Sequence, residues 1–129
     1  MSNLSKPEGE LVLQTVAMPA NTNVYGDIFG GWLLSQMDLG GSVLAHKLVG
    51  HRVTTVAIDG MKFLKPVKVG DRVACYARVV HRGRTSLGIE IQAWAMRMKD
   101  SSLHHVTHGT FTFVAIDQNG KPTPIQWKD

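Results

Sequence analysis

The stretch GGWLLSQMDLGGSVLAHKLV, residues 30–49, decides the fold, because it is the one run of this chain with a strong helical pattern. Gly50 follows it directly, and a glycine at this position commonly ends a helix. At about 100° per residue, one face of this helix collects large apolar residues: Leu33, Met37, Leu44 and Leu48. We expect a sheet to cover that stripe.

β-rich runs occupy the rest of the chain, one before the helix and four after it. From Asp71 to His81, for example, Val73, Cys75 and Ala77 recur with the period of two that is typical of a strand with one buried face. Turn signals such as Arg82-Gly83-Arg84 separate the runs. The pattern predicts an α+β fold, in which an antiparallel sheet of about five strands is folded around a single helix.

Length, the lengths of apolar runs and cysteine content indicate how many domains to expect and in which compartment the protein works. The 129 residues predict one domain at 10–125, with a polar N-terminal extension at 1–9 and a tail at 126–129. No stretch approaches the ~18 apolar residues of a membrane span, and the polar start is unlike a secretory signal. The single cysteine, Cys75, suits a reducing compartment. We therefore expect a cytoplasmic protein that does not bind membranes.

The excess of positive charge is modest, at +4. Its longest cluster is His81-Arg82-Gly83-Arg84, whereas proteins that bind nucleic acid usually cluster many more cations. A basic isoelectric point alone is compatible with either kind of partner. Two or three converging cations favour a small polyphosphate, so we expect no nucleic-acid partner.

A second apolar patch on the helix, formed by Trp32, Leu39 and Val43, lies away from the first stripe. A helix that is apolar on most sides is buried on most sides. One sheet covers one side only, so we expect the second patch to contact another subunit. The alternative is that Trp32 and Leu39 pack under the loop before the helix.

Asp38 is the only acidic residue of the helix, and no Lys or Arg lies three or four positions away. Its neighbours at those spacings include Gly41 and Ser42, and Gly31 lies on the same face two turns earlier; residues as small as these let another group approach closely. A half-buried carboxylate without a partner is costly, so Asp38 is neutral, hydrogen-bonded or functional. The residues alone leave a structural and a functional role open.

Two long stretches carry a resemblance to a known family. ANTNVYGDIFGGWLLSQMDLGG, residues 20–41, and VTTVAIDGMKFLKPVKVGDRV, residues 53–73, resemble the signatures of the hotdog-fold acyl-CoA thioesterases of the YciA type. GRTSLGIEIQAW and THGTFTFVAID follow in the same order, so the resemblance extends from Glu10 to Ile125.

The resemblance implies a fold, an assembly and a reaction. The fold is the hotdog, a long helix wrapped by an antiparallel sheet, and two chains form a homodimer with one continuous sheet. Such dimers often join as a trimer of dimers. The implied reaction hydrolyses acyl-CoA to CoA and a carboxylic acid, at active sites built from both chains, without metal or organic cofactor.

The resemblance also implies roles for particular residues. Asp38 matches the catalytic carboxylate, and it acts either as a general base or as a nucleophile that forms an anhydride. Asn23 matches an asparagine that helps to position water or substrate from the opposite subunit. Gly30 and Gly31 begin the helix, where free N–H groups would face the thioester carbonyl. We expect the Asp38 carboxyl and these amides to face the same point. Phe29 replaces the histidine of the wider superfamily, as it does in the YciA type.

Binding of CoA is assigned by the same resemblance to a hairpin turn and to one further cation. The turn residues are Arg82, Arg84, Thr85 and Ser86, and the further cation is Lys65. Positively charged side chains at these positions suit the phosphates of the nucleotide. The alternative for each is an ordinary place on the solvated surface.

The histidines His104, His105 and His108 suggest a metal site, but the pattern does not support one. There is no HExxH motif, and in a regular strand His104 and His108 share a face at a separation of ~13 Å. We therefore expect no metal.

Two other functions remain open. A hotdog dehydratase or hydratase usually pairs a histidine with a carboxylate, and neither His46 nor His51 is placed like that histidine. A non-catalytic module that binds acyl-CoA is the second alternative. Asp38 argues against it, because binding an anionic thioester gains nothing from a nearby carboxylate.

Overall fold

The computed structural model describes residues 4–128. Its elements in chain order are β1 (Glu10–Val16), a short 3-10 turn (Pro19–Asn21), α1 (Gly30–Val49), β2 (Val53–Phe63), β3 (Arg72–Arg82), β4 (Ser86–Met96) and β5 (Leu103–Ala115). The strands form one antiparallel sheet in the order β1-β3-β4-β5-β2. The predicted α+β architecture is confirmed, and β1 and β2 are the edges of the sheet.

The helix packs on the sheet through the predicted stripe. Leu33, Met37 and Leu44 are buried, and Leu48 is half-buried against the same core. Gly50 ends the helix at a φ of 83°, and its N–H donates to the carbonyl of His46 at 2.7 Å. This left-handed conformation favours glycine, in agreement with the predicted stop.

The small residues of the helix bring it close to its own sheet. A Cβ built on Gly41 would overlap the Cδ1 atom of Ile91 and lie 3.1 Å from the Phe113 ring. Gly40 is equally confined, because its Cβ would lie 2.9 Å from Val12. The group that approaches the helix at Gly41 is therefore the sheet and not a ligand.

The described parts of both flanking segments contact the domain. The N–H of Glu8 donates to the side-chain oxygen of Gln92 at 3.1 Å, on the face of β4 that points away from the helix. The same oxygen accepts the indole N–H of Trp94 at 3.0 Å. At the other end of the chain, Trp127 packs against the core and the N–H of Lys128 donates to the carbonyl of Leu48.

The second apolar patch is largely open to solvent. Leu39 is 56% exposed and Val43 is 52% exposed, so the loop before the helix does not cover them. Trp32 differs, because it is half-buried and packs against the core. Edge strand β2 adds Val56, which is 56% exposed, to the uncovered apolar surface of the chain.

Among the described residues, the helices are too short or too polar to cross a lipid bilayer.

Candidate active site

Asp38 lies in the third turn of α1, half-buried, with its carboxylate directed at the adjacent edge strand. The hydroxyl of Thr55 in β2 donates to its Oδ1 atom at 2.6 Å. Within residues 4–128 this is the one hydrogen bond made by the carboxylate, and its second oxygen has no protein partner. The missing partner of the helix aspartate is therefore a threonine from the sheet.

Thr55 was not identified from the sequence. The alternation of β2 places Val53 and Thr55 on one face, which is a usable signal. Which helical residue that face meets depends on how the helix is set against the sheet, and this is a tertiary contact that periodicity does not give.

The start of the helix is open at the predicted glycine pair. Phe29 precedes it with extended backbone (φ −79°, ψ 150°), and its side chain makes no capping hydrogen bond. The first N–H groups of a helix have no partner within the helix, and they lie at the positive end of its dipole. Gly30 and Gly31 thus present backbone donors where an oxygen that gains negative charge would be stabilised.

An open cleft of about 390 Å³ lies beside these amides. Apolar side chains make most of its wall, with one cation: Ile28, Phe29, Gly30, Leu33, Phe63, Leu64, Lys65, Pro66 and Val67. The Phe63 ring lies over Gly30, where a Cβ would come within 3.0 Å of it. A side chain at this position would therefore crowd the Phe63 ring, which glycine avoids.

A buried ion pair fixes one wall of the cleft. Asp71, 2% exposed, accepts the Arg97 Nε–H at 2.9 Å and the backbone N–H of Lys68 at 2.8 Å. Arg97 also donates to the carbonyl of Pro66 at 2.8 Å. These bonds hold the segment from Lys65 to Lys68 in place although it lacks regular structure.

Asp38 and the helix start do not meet within one chain. Eight residues separate Gly30 from Asp38, which corresponds to ~12 Å along the helix axis. The expectation that the carboxyl and the amides face the same point therefore fails for a single chain.

Asn23 lies exposed in the loop before the helix and organises that loop. Its Oδ1 accepts the N–H groups of Tyr25 at 2.9 Å and of Asp27 at 3.2 Å, as in a turn built on an asparagine. Its side-chain amide nitrogen makes no hydrogen bond to residues 4–128. Val24 beside it is 92% exposed, so the loop projects away from its own chain.

The candidate CoA-binding residues lie in two separate places. Arg82, Arg84, Thr85 and Ser86 surround the β3–β4 turn, which the N–H of Gly83 closes by donating to the Ser86 carbonyl at 2.8 Å. Lys65 is exposed at the cleft, near Val106 of β5, whereas Ser86 pairs with Val114 of the same strand. Eight residues of strand correspond to roughly 26 Å, so one chain does not bring Lys65 and the turn together.

The histidines are arranged differently from the prediction. A bulge at Val106 places His105 opposite Trp94 and His108 opposite Gln92, so His105 and His108 share a face and stack at 5.2 Å. The prediction that His104 and His108 share a face is wrong, because the bulge changes the alternation of the strand. His104 instead contacts Ser102 Oγ at 2.8 Å. Burial, and next the charge of His108, lower the pKa of His105.

Neither a thiol nor a cluster of metal-binding side chains offers another chemistry within residues 4–128. Burial raises the pKa of Cys75 to about 12, so its thiol stays protonated and is a poor nucleophile. No group of three or more His, Cys, Asp and Glu side chains in this part of the chain is arranged to hold a metal ion.

Known proteins resemble this chain over nearly its whole length. The sequence model of the Thioesterase superfamily matches residues 25–100. Acyl-CoA thioester hydrolase YciA of Salmonella typhimurium is 52% identical over 122 residues, which are 92% of each chain. The YciA protein of Escherichia coli K12 is 51% identical over the same share.

Solved structures confirm the likeness in three dimensions. A hexameric thioesterase from Yersinia pestis superposes with a TM-score of 0.90 at 51% identity, over 94% of this chain and 98% of that one. An acyl-CoA hydrolase from Staphylococcus aureus, solved with butyryl-CoA and CoA, gives a TM-score of 0.81 at 29% identity, over 91% and 73%. The expected hotdog fold is thereby confirmed.

Proposed function

This chain belongs to the Thioesterase superfamily, and on that premise we infer that it is a hotdog-fold acyl-CoA thioesterase of the YciA type. It hydrolyses an acyl-CoA to free CoA and a carboxylic acid. The observation within the structure that carries the assignment is the half-buried Asp38 carboxylate, with one oxygen held by Thr55 and the other without a protein partner in residues 4–128. The dehydratase and pure binding alternatives have no comparable feature in their favour.

Asp38 is the proposed catalytic acid–base group. As a general base it takes a proton from water while the water oxygen bonds to the thioester carbonyl carbon. The C–S bond then breaks, and the proton passes to the departing CoA sulfur. As a nucleophile, Asp38 would displace the same thiolate and form an anhydride that water later opens. The free amide nitrogen of Asn23 supports the first route, because it offers a second contact for the water.

The complete site is proposed to combine two chains. One subunit supplies Asp38, and its partner supplies the start of the helix and Asn23, since within one chain the carboxyl lies ~12 Å along the axis from the glycine pair. The exposed patch of Leu39 and Val43 provides apolar surface for this contact. Pairing of two copies through edge strand β2 would give the continuous sheet of a dimer, and three such dimers a hexamer.

The Staphylococcus aureus relative supports the choice of Asn23 and Asp38. The alanine variants of that hydrolase that have been solved replace an asparagine and an aspartate that lie 15 positions apart. Asn23 and Asp38 are also 15 positions apart.

The amides of Gly30 and Gly31 are proposed as the oxyanion hole. As water attacks, negative charge moves onto the carbonyl oxygen, and backbone donors at a helix start stabilise it without reorganising. One such donor typically lowers the barrier by about 3–4 kcal/mol. The absence of side chains at the glycine pair lets the thioester approach the backbone.

We propose that two parts of the chain bind the CoA portion of the substrate, the β3–β4 turn and Lys65. The β3–β4 turn, with Arg82, Arg84, Thr85 and Ser86, binds the nucleotide phosphates through charge-assisted hydrogen bonds. Lys65 is proposed to bind CoA at the opening of the cleft beside the helix start. Lys65 and the turn are far apart within one chain. They therefore bind the same CoA molecule only if that molecule lies between two subunits.

The chemistry uses water, Asp38 and backbone amides, so we propose that no metal or organic cofactor takes part. We also propose that the enzyme works in the cytoplasm, since its buried free cysteine suits a reducing compartment. Nucleic acid and membranes are not proposed as partners.

Release of free thiol from a series of acyl-CoAs tests this function. We expect Asp38→Ala to lower turnover about 100-fold or more, in line with general acid–base contributions. Asp38→Asn is the closer variant, because its side-chain oxygen still accepts from Thr55. Both variants should keep the circular dichroism spectrum of the parent.

The same assay separates the alternatives. A hydratase would add water to the acyl chain and leave the thioester intact, and a binding module would yield neither product. Wild-type turnover in the Asp38→Asn variant would refute the assignment of Asp38.

A further inference from the structure

The segment after β5 folds back along the sheet and forms a backbone hydrogen bond with the β3–β4 turn. It reverses at Asn119-Gly120 and then runs beside β5, where the N–H of Thr123 donates to the carbonyl of Ala115 at 2.9 Å. Further on, the N–H of Ile125 donates to the carbonyl of Arg84 at 2.8 Å. The C-terminal segment, residues 122–128, thus contacts the backbone of the very turn that carries the candidate cations.

Trp127 extends this contact to a charged side chain. The guanidinium carbon of Arg82 lies 4.4 Å from the centre of the Trp127 ring, within the range of a cation–π contact. Trp127 is itself half-buried against the core, and the next residue is fixed by the bond from Lys128 N–H to the Leu48 carbonyl at 2.9 Å. The indole ring is therefore held in place by the core, and the Arg82 guanidinium lies over it.

A cation–π contact of this kind restricts the arginine side chain before any ligand binds. A long exposed side chain otherwise loses conformational entropy when it binds a ligand, and a side chain already held against a ring has lost part of that entropy beforehand. Guanidinium groups bind phosphates through charge-assisted hydrogen bonds, so an arginine held in this way suits the phosphates of a nucleotide.

We propose that Trp127 is a positioning residue, which holds the Arg82 guanidinium ready for the phosphates of the CoA nucleotide. This deepens the proposed function, since it rests on the assignment of the β3–β4 turn to CoA. Trp127 acts on affinity for the nucleotide end of the substrate. It has no part in the chemical step at Asp38.

The test compares two substrates that share an acyl group: hexanoyl-CoA and the hexanoyl thioester of N-acetylcysteamine, which lacks the nucleotide. We expect Trp127→Ala to raise KM for hexanoyl-CoA about 2- to 5-fold with kcat unchanged. This range corresponds to ~0.5–1 kcal/mol for an exposed cation–π contact. Kinetic constants for the nucleotide-free thioester should stay at the parent values.

Three further variants complete the design. Trp127→Phe keeps an aromatic face and should restore most of the affinity. Gln126→Ala, at the exposed neighbouring position of the same segment, should behave like the parent. Arg82→Gln should raise KM for hexanoyl-CoA at least as much as Trp127→Ala, and the double variant should add little to either.

Each contrary result has a separate meaning. If Arg82→Gln raises KM for hexanoyl-CoA and Trp127→Ala does not, the positioning role is wrong while CoA binding by the turn stands. If Arg82→Gln leaves that KM unchanged, the turn assignment fails and the role of Trp127 fails with it. If Trp127→Ala impairs both substrates equally or lowers kcat, its role is purely structural and the proposal is overturned.

Discussion

At the scale of single residues, the contact between Asp38 and Thr55 fixes the orientation of the proposed catalytic carboxylate. A carboxylate on a helix has several rotamers, and a base must point at the water that it deprotonates. The 2.6 Å bond from Thr55 selects one arrangement and leaves the second oxygen for water or substrate. If Asp38 is the catalytic base that we propose, Thr55 acts on the reaction through the orientation of Asp38.

Removal of the Thr55 hydroxyl should reduce the rate without weakening substrate binding. We expect Thr55→Val, of nearly the same shape, to lower kcat about 10-fold or more, since a hydrogen bond to a charged group contributes about 1.5–3 kcal/mol. KM should change little, and Thr55→Ser should recover most of kcat. Steady-state assays of thiol release give kcat and KM for the parent and for both variants. Thr54→Val alters the exposed neighbour and serves as the control. An unchanged kcat in Thr55→Val would exclude the role.

At the scale of elements, close packing of the helix on the sheet uses Gly41 in place of a better helix former. Alanine has the higher helix propensity, by about 1 kcal/mol. Its methyl group at this position would collide with Ile91 and crowd Phe113, and overpacking of a core costs about 1–3 kcal/mol. The steric cost outweighs the propensity gain.

We therefore expect Gly41→Ala to lower the free energy of unfolding by about 1 kcal/mol or more, measured by urea denaturation at a fixed protein concentration. Ser35→Ala, at an exposed position of the same helix, provides the control for propensity and should be neutral or slightly stabilising. Equal or greater stability of Gly41→Ala would mean that the helix is free to move away from the sheet.

The elements themselves were predictable from the sequence, because each has a strong local signal. Helical periodicity with a terminal glycine defined α1, and alternation with turn signals defined the strands. The bulge at Val106 was not predictable, since its sequence continues an ordinary β pattern. For the same reason the faces of His104 and His105 were misassigned.

The site was predictable only as far as its residues resemble a known pattern. Asp38 stands out locally, as an acidic residue among apolar and small neighbours. Thr55 and Trp127 gain their roles from tertiary contacts, to the helix in one case and to Arg82 in the other. Alternation indicates the face on which Thr55 lies, but the residue that each side chain meets is set only in the folded chain.

At the scale of the whole molecule, the proposed site depends on assembly of two chains. A single chain leaves Leu39 and Val43 exposed on the helix, and it keeps Asp38 apart from the helix start. Apolar surface of this kind on a helix face is typical of an interface between subunits. Activity and association should therefore be linked, and a change that weakens the interface should remove activity without touching the catalytic groups.

Val43→Glu tests this link, because it places a charge in the exposed apolar patch. Burying an unpaired carboxylate at an interface is costly, so we expect smaller species in light scattering and loss of most of the specific activity. Mass action predicts that part of this activity returns as the protein concentration rises. Met98→Glu, at an exposed apolar residue in the turn between β4 and β5, is the matched control and should keep the parent's assembly and rate. Full activity in a stable Val43→Glu monomer would show that one chain suffices, and the shared site would then have to be abandoned.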